Sequence, residues 1–214
     1  MSDIFREIDE ELRRDQLDKL WKRYGGYVIG FAVVIVLIVA AFVGWREYQR
    51  RQGEAASVRY AAALEIAGKE DAGKAAEAFG VLAREATGGP AVLARFQEAA
   101  LRAKAGDAAG TIAIYKALAA DGSVDAVYRE LAQLLSAMHQ LATADPKSLI
   151  TDLEPLTKED SPWRPSALEL TALAHLRAGE RDAARDIYKK LADDLAAPQA
   201  LRQRAAEMAA ALAA

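Results

Sequence analysis

The chain has 214 residues, a formal net charge of −3 at pH 7 and no cysteine. The lack of cysteine excludes disulfides and thiolate metal sites, and the slightly acidic charge argues against nucleic acid as a partner. Alanine dominates residues 53–214 and is joined by leucine, glutamate, arginine and lysine, a composition typical of helices. We therefore predict an all-α fold.

The N-terminal segment, residues 1–24, has the pattern of an amphipathic helix. Ile4, Ile8 and Leu12 recur every four residues, and Glu10 and Arg14 place opposite charges one turn apart. Two interpretations fit this pattern. The helix is either a solvated or interface-lying extension of the apolar segment that follows, or a docking helix for a partner protein.

Residues 25–44 contain no charged side chain, although 28% of the whole chain is charged. A helix of this length is about 30 Å long, which is the thickness of the hydrocarbon core of a bilayer. Aromatic residues flank the segment, as they do at membrane interfaces: Trp21 and Tyr24 on one side, Trp45 and Tyr48 on the other. The sequence predicts a single transmembrane anchor over residues 25–45.

Two other interpretations of this segment are disfavoured. A cleaved signal peptide has a shorter apolar run and small residues at its cleavage site, whereas Trp45-Arg46-Glu47 follows here. A buried core helix is seldom apolar on every face over such a length.

The distribution of basic residues favours one orientation. Six Lys and Arg residues precede the apolar segment and four follow it up to Tyr60. Basic residues accumulate on the cytoplasmic side, so residues 1–24 are expected to be cytoplasmic. A difference of two basic residues leaves the orientation open.

The second half of the chain contains an internal repeat. The stretch from Gly106 matches the stretch from Gly179 at an offset of 73, and the match includes Tyr115 and Tyr188. Phe79 takes the aromatic place in an earlier copy, and Ile150 takes it in a degenerate one, so the four places recur at a nearly constant interval. A period near 35 with two helices per unit resembles the tetratricopeptide repeat.

This period predicts residues 53–214 to be a tetratricopeptide-like α-solenoid of about four helical hairpins with a C-terminal capping helix. Phe79, Tyr115 and Tyr188 are expected to fill the packing between helices, and Gly106 and Gly179 to form turns with positive φ. The predicted hairpins are 54–68 with 72–86, 91–105 with 108–120, 124–142 with 146–157 and 164–178 with 181–195, and the capping helix is 198–212.

The sequence contains no recognisable constellation of catalytic, cofactor-binding or metal-ligating residues. Its two histidines, His139 and His175, have no His, Asp or Glu four residues away on the same helix face. We therefore expect them to be structural, and we expect neither an enzyme nor a bound cofactor.

These features together resemble the YfgM-like family of ancillary subunits of the SecYEG translocon. The motifs that carry the resemblance are Gly44-Trp45-Arg46, Trp163 ahead of Ala167-Leu168-Glu169-Leu170, the Gly179 turn followed by Ala184-Arg185 and Tyr188, and Pro198-x-x-Leu201-Arg202. The resemblance implies a bitopic protein of the bacterial inner membrane with a cytoplasmic N-terminus and a periplasmic tetratricopeptide-like domain. The N-terminal helix of this chain is longer and more charged than in the family, so a cytoplasmic contact of relatives is not carried over.

The resemblance also implies partners: the SecYEG translocon and a membrane-anchored periplasmic chaperone of the prolyl-isomerase-like type. The leading hypothesis is a non-enzymatic adaptor that binds this chaperone, emerging unfolded secretory proteins, or both. The alternative is a structural scaffold of an envelope or cell-division complex that has no role in protein transport.

Overall fold

The computed structural model describes residues 31, 34–48, 50–51, 53–54, 57–68 and 72–213. The chain divides into two compact units, Met1–Glu54 and Ala55–Ala214. All described residues of the first unit are helical. The predicted amphipathic helix over residues 1–24, with Trp21 and Tyr24, lies outside the described residues.

The predicted anchor is described at residue 31 and at residues 34–45. These residues are helical, and their large apolar side chains, from Phe31 to Val43, are exposed. Trp45 and Tyr48 are exposed as well. Within the described ranges, no helix combines the length and the apolar character needed to cross a membrane.

The described part of the second unit is entirely helical apart from its turns and loops. Its helices are α1 (residues 57–68), α2 (Ala72–Glu85), α3 (Gly89–Lys104), α4 (Ala108–Ala120), α5 (Ala126–Gln140), α6 (Pro146–Leu153), α7 (Arg164–Arg177), α8 (Arg181–Asp193) and α9 (Gln199–Ala211). A short 3-10 helix, Glu154–Thr157, extends α6. If this extension is taken as part of α6, the predicted first and last residues of every helix from residue 72 onward lie within two residues of the observed ones. The predicted all-α, solenoid-like fold is thus confirmed.

Aspartate side chains cap the N-termini of three of these helices. Asp107, Asp125 and Asp145 each accept a hydrogen bond from a backbone N–H in the first turn, at 2.8–3.0 Å. Such a cap satisfies a donor that has no partner inside the helix. Because the caps are local, they fix where α4, α5 and α6 start.

Glycines in the left-handed conformation close two of the hairpins. Gly106 has a φ of 84° and Gly179 a φ of 80°. After each glycine, the next N–H reaches back to a carbonyl in the last turn of the helix, from Asp107 to Arg102 and from Glu180 to His175. This Schellman geometry lets the chain reverse within a single residue.

The core consists of small clusters between successive helices. Phe79, Tyr115 and Tyr188 are buried in three of them. Phe79 also packs edge-on against Tyr60 of α1, with ring centroids 5.3 Å apart. Helices therefore pack chiefly on their neighbours in sequence, as in a solenoid.

One packing position differs from the sequence alignment. The repeat alignment predicts Ile150 at the aromatic position, whereas the structure buries Leu149 there and Ile150 only partly. Leu149 and Leu153 lie one turn apart and form one stripe along the short helix α6. Ile150 lies about 100° further round the same helix.

Candidate functional site

The connections between hairpins form one edge of the solenoid. The connection from α2 to α3 contains Gly88, which has a φ of 63°. The connection from α4 to α5 runs through Asp121 and Asp125. Between these two connections lies an open cleft of about 480 Å³, a size suited to a small ligand or a few side chains. We call it the edge cleft. Its lining residues are Ala86, Thr87, Gly88, Gly89, Ala91, Val92, Leu93, Arg95, Asp121, Ser123, Val124, Asp125 and Tyr128.

Two side chains in the apolar wall of the edge cleft are about half exposed to solvent. Leu93 is 49% exposed and Tyr128 is 45% exposed. Behind them, Phe96 contacts both Tyr128 and Tyr115, with ring centroids 6.4 and 5.9 Å apart. Exposed apolar side chains on a packed aromatic support are what a protein-binding surface presents.

An ion pair holds the other wall in place. Arg95 of α3 donates to Asp121 at 2.9 Å, and Asp121 also accepts from the hydroxyl and the backbone N–H of Ser123. These hydrogen bonds lower the pKa of Asp121 to about 2, and the bond from the Ser123 hydroxyl has the largest effect, followed by that from Arg95. The pair fastens the connection before α5 to the helix on the opposite side of the edge cleft.

A second, smaller cleft of about 380 Å³ adjoins the first, and Ala86 and Arg95 line both. Its floor contains Glu98, a carboxylate that is almost fully buried and accepts from Arg102 at 3.0 Å. Gly80 of α2 makes room for this carboxylate, since a Cβ at that position would lie 3.1 Å from it.

The Arg–Asp pair recurs at the far end of the solenoid. Asp194 accepts hydrogen bonds from the N–H of Ala196 and from Arg164 of α7. Both bonds lower the pKa of Asp194, and the bond from Ala196 has the larger effect. Asp121 and Asp194 occupy matching places in the repeat that relates Gly106 to Gly179. Their arginine partners do not match in that alignment, so it did not reveal the pairs.

The residues singled out in the sequence lie away from the edge cleft. Phe79, Tyr115 and Tyr188 are interior packing residues, and Gly106 and Gly179 form the turns within hairpins. None of these five lines the edge cleft. Leu93 and Tyr128 of the cleft could not be recognised from the sequence. Their only signal in the sequence is that each is an apolar residue near the start of a predicted helix and does not belong to the buried face of that helix.

Both histidines have partners that the sequence spacing did not reveal. His139 stacks on Tyr115, with ring centroids 5.8 Å apart. His175 is 2.6 Å from the Glu180 carboxylate, which the Gly179 turn folds back towards it. These contacts agree with a structural role for both histidines, which stays a prediction. Among the described residues, no three His, Cys, Asp or Glu side chains are placed to hold a metal ion.

Comparison with known proteins identifies the domain type. A family model described as a tetratricopeptide repeat-like domain matches residues 19–210. No curated protein and no solved structure matches the chain significantly.

Proposed function

Because the chain belongs to the tetratricopeptide repeat-like domain family, we propose that it is a membrane-anchored adaptor at the Sec translocon. Domains of this kind are protein-interaction modules and are generally non-catalytic. Their stacked hairpins present an extended surface to a partner. The function proposed here is therefore to bind proteins, without enzymatic activity.

The observation that carries the proposal is the edge cleft. It combines partly exposed apolar side chains, Leu93 and Tyr128, with the fixed Arg95–Asp121 ion pair. Protein interfaces have a similar composition, with an apolar or aromatic centre and a polar rim. The connection before α5 is held by hydrogen bonds to the Asp121 and Asp125 carboxylates, so a partner meets a preformed surface on that side of the cleft.

The exposed apolar helix of the first unit supports anchorage in a membrane. Large apolar side chains from Val34 to Val43 are exposed on successive turns. A surface of this kind is stable when lipid or another apolar phase covers it. We propose a single-pass protein of the bacterial inner membrane, with the hairpin domain in the periplasm.

The partners proposed are the SecYEG translocon and a periplasmic chaperone of the prolyl-isomerase-like type, together with emerging secretory proteins. Their support is the sequence resemblance described above. The alternative is a scaffold for an envelope or cell-division complex, which would bind other proteins with the same surface.

Photocrosslinking in the native membrane separates these two functions. A photoreactive amino acid replaces Tyr128 at the edge cleft, and a control replaces Val81, which is 45% exposed on α2 and does not line the cleft. The adaptor predicts adducts with translocon subunits or the chaperone from position 128 and few from position 81. Adducts restricted to envelope or division proteins would instead establish the scaffold.

A further inference from the structure

Three of the helices that start at the edge of the solenoid are preceded by different residues. Gly88 stands before α3, Asp125 before α5 and Trp163 before α7. The Trp163 side chain reaches back to the preceding hairpin, where its indole Nε1 donates to the carbonyl of Val127 at 3.0 Å. It also packs beside the apolar cluster that includes Leu134 and Leu156. The indole thus lies between the starts of α5 and α7.

The matching place one repeat earlier is the edge cleft. There, between the starts of α3 and α5, Asp125 stands where the later repeat has Trp163. The Asp125 carboxylate turns to its own helix and accepts from the N–H of Val127 at 3.0 Å. The space that an indole occupies in one repeat is therefore open in the preceding one.

We propose that the edge cleft receives a bulky aromatic side chain, preferably an indole, from a partner polypeptide. This inference rests on the proposed function, because it names the chemistry of the contact by which the adaptor binds. The contact that Trp163 makes within the chain is the model for this contact with a partner.

The lining of the cleft fits such a side chain. Leu93 and Tyr128 offer apolar faces, and Tyr128 belongs to an aromatic group with Phe96. An indole N–H needs an acceptor when it is buried, and the Asp125 carboxylate lines the cleft and can accept more than one hydrogen bond.

The charge of the lining indicates what should flank the aromatic residue. The cleft contains Arg95, Asp121 and Asp125, and Arg95 is already paired with Asp121. The remaining negative charge favours a partner segment that carries a basic residue next to the aromatic one. Residues 161–166 of this chain, Ser-Pro-Trp-Arg-Pro-Ser, have that composition.

A fluorescein-labelled peptide with this sequence is the probe, and the same peptide with alanine in place of tryptophan is its control. Fluorescence anisotropy measures their binding to the full chain in detergent micelles. Loss of a central aromatic anchor costs enough affinity that the alanine peptide should bind at least about tenfold more weakly.

Two variants of Asp125 test the place of binding. Asp125→Trp puts an indole at the position that matches Trp163, so the chain should fill its own cleft and bind the tryptophan peptide at least about tenfold more weakly. Asp125→Ala removes the same helix cap and the proposed indole acceptor without filling the cleft, so it should weaken binding clearly less than Asp125→Trp does. A second pair of variants separates loss of binding from misfolding. Leu93→Asp, in the cleft, should weaken binding. Val81→Asp, which makes the same kind of change at an exposed apolar position outside the cleft, should not.

Equal binding of the two peptides, or unchanged binding by Asp125→Trp, would overturn the proposal. A dimer that Asp125→Trp converts to a monomer, as judged by light scattering, would also overturn it by making a second copy the occupant. The crosslinking from position 128 reports on the adaptor function separately. If translocon or chaperone adducts persist while the peptides fail to discriminate, the inference about the cleft is wrong and the adaptor function stands.

Discussion

Truncation of Tyr188 tests the hairpin packing most directly. The side chain is 2% exposed and lies in the cluster formed by α7, α8 and α9, beside Ala184, Leu191 and Leu201. Replacement by alanine removes the ring from a site that three helices enclose. Aromatic-to-alanine changes in cores cost about 3–5 kcal/mol for Phe and Trp, and we expect about 3 kcal/mol for Tyr188→Ala.

Urea unfolding of residues 53–214, followed by circular dichroism, measures this cost. For a typical dependence of about 2 kcal/mol per molar urea, a loss of about 3 kcal/mol lowers the midpoint by about 1.5 M. Tyr188→Phe is the matched control, since it keeps the ring and should cost about 1 kcal/mol or less. His139→Ala and His175→Ala should cost about 1 kcal/mol each, as ordinary substitutions do. A Tyr188→Ala midpoint equal to that of the wild type would refute the packing role and the repeat alignment behind it.

Four further predictions follow from the same features. Residues 53–214 expressed alone should give a soluble domain with a helical circular dichroism spectrum, and a spectrum of coil or strand would contradict the fold. A reporter that is active only outside the cytoplasm, fused after Ala214, should be active, and a stable but inactive fusion would contradict the periplasmic placement. The folded-state pKa of Asp121, about 2, lies below its ordinary value of 3.8, so its stabilising effect is complete above about pH 4 and is lost as the pH falls towards 2. Asp121→Asn should therefore lower the urea midpoint at pH 7, and its difference from wild type should shrink between pH 4 and pH 2. Replacing a glycine inside a helix by alanine is expected to raise the free energy of unfolding by up to about 1 kcal/mol. Gly80→Ala should not show this increase, because the new Cβ meets the Glu98 side chain, but in a Glu98→Ala background it should, as measured by urea unfolding.

The helices and their turns could be predicted because their signals are local. Glycine at 106 and 179, aspartate before α4 and proline at the start of α6 each act on the backbone within a few residues. The spacing of the aromatic places then indicated the hairpin period. These signals survive in a single sequence even where the repeats are degenerate.

The edge cleft could not be predicted in the same way. It depends on how the start of α3 and the connection before α5 come together, although these segments are far apart in the sequence, as Arg95 and Asp121 are. Leu93 and Tyr128 differ from core residues only in their exposure, which is a property of the assembled solenoid. The contact between His175 and Glu180 was missed for a related reason, since it requires the chain reversal at Gly179.

The packing of each helix on its neighbours in sequence has a consequence for how the domain is made. Contacts between residues that are close in the chain form quickly, because little loop-closure entropy is lost before they stabilise one another. A hairpin such as α3–α4 can therefore take shape before α7–α9 are available to it. For the membrane-anchored protein proposed above, folding could then follow translocation one hairpin at a time. A pulling force applied at the C-terminus would reverse that order, detaching α9 first and then the hairpins in succession.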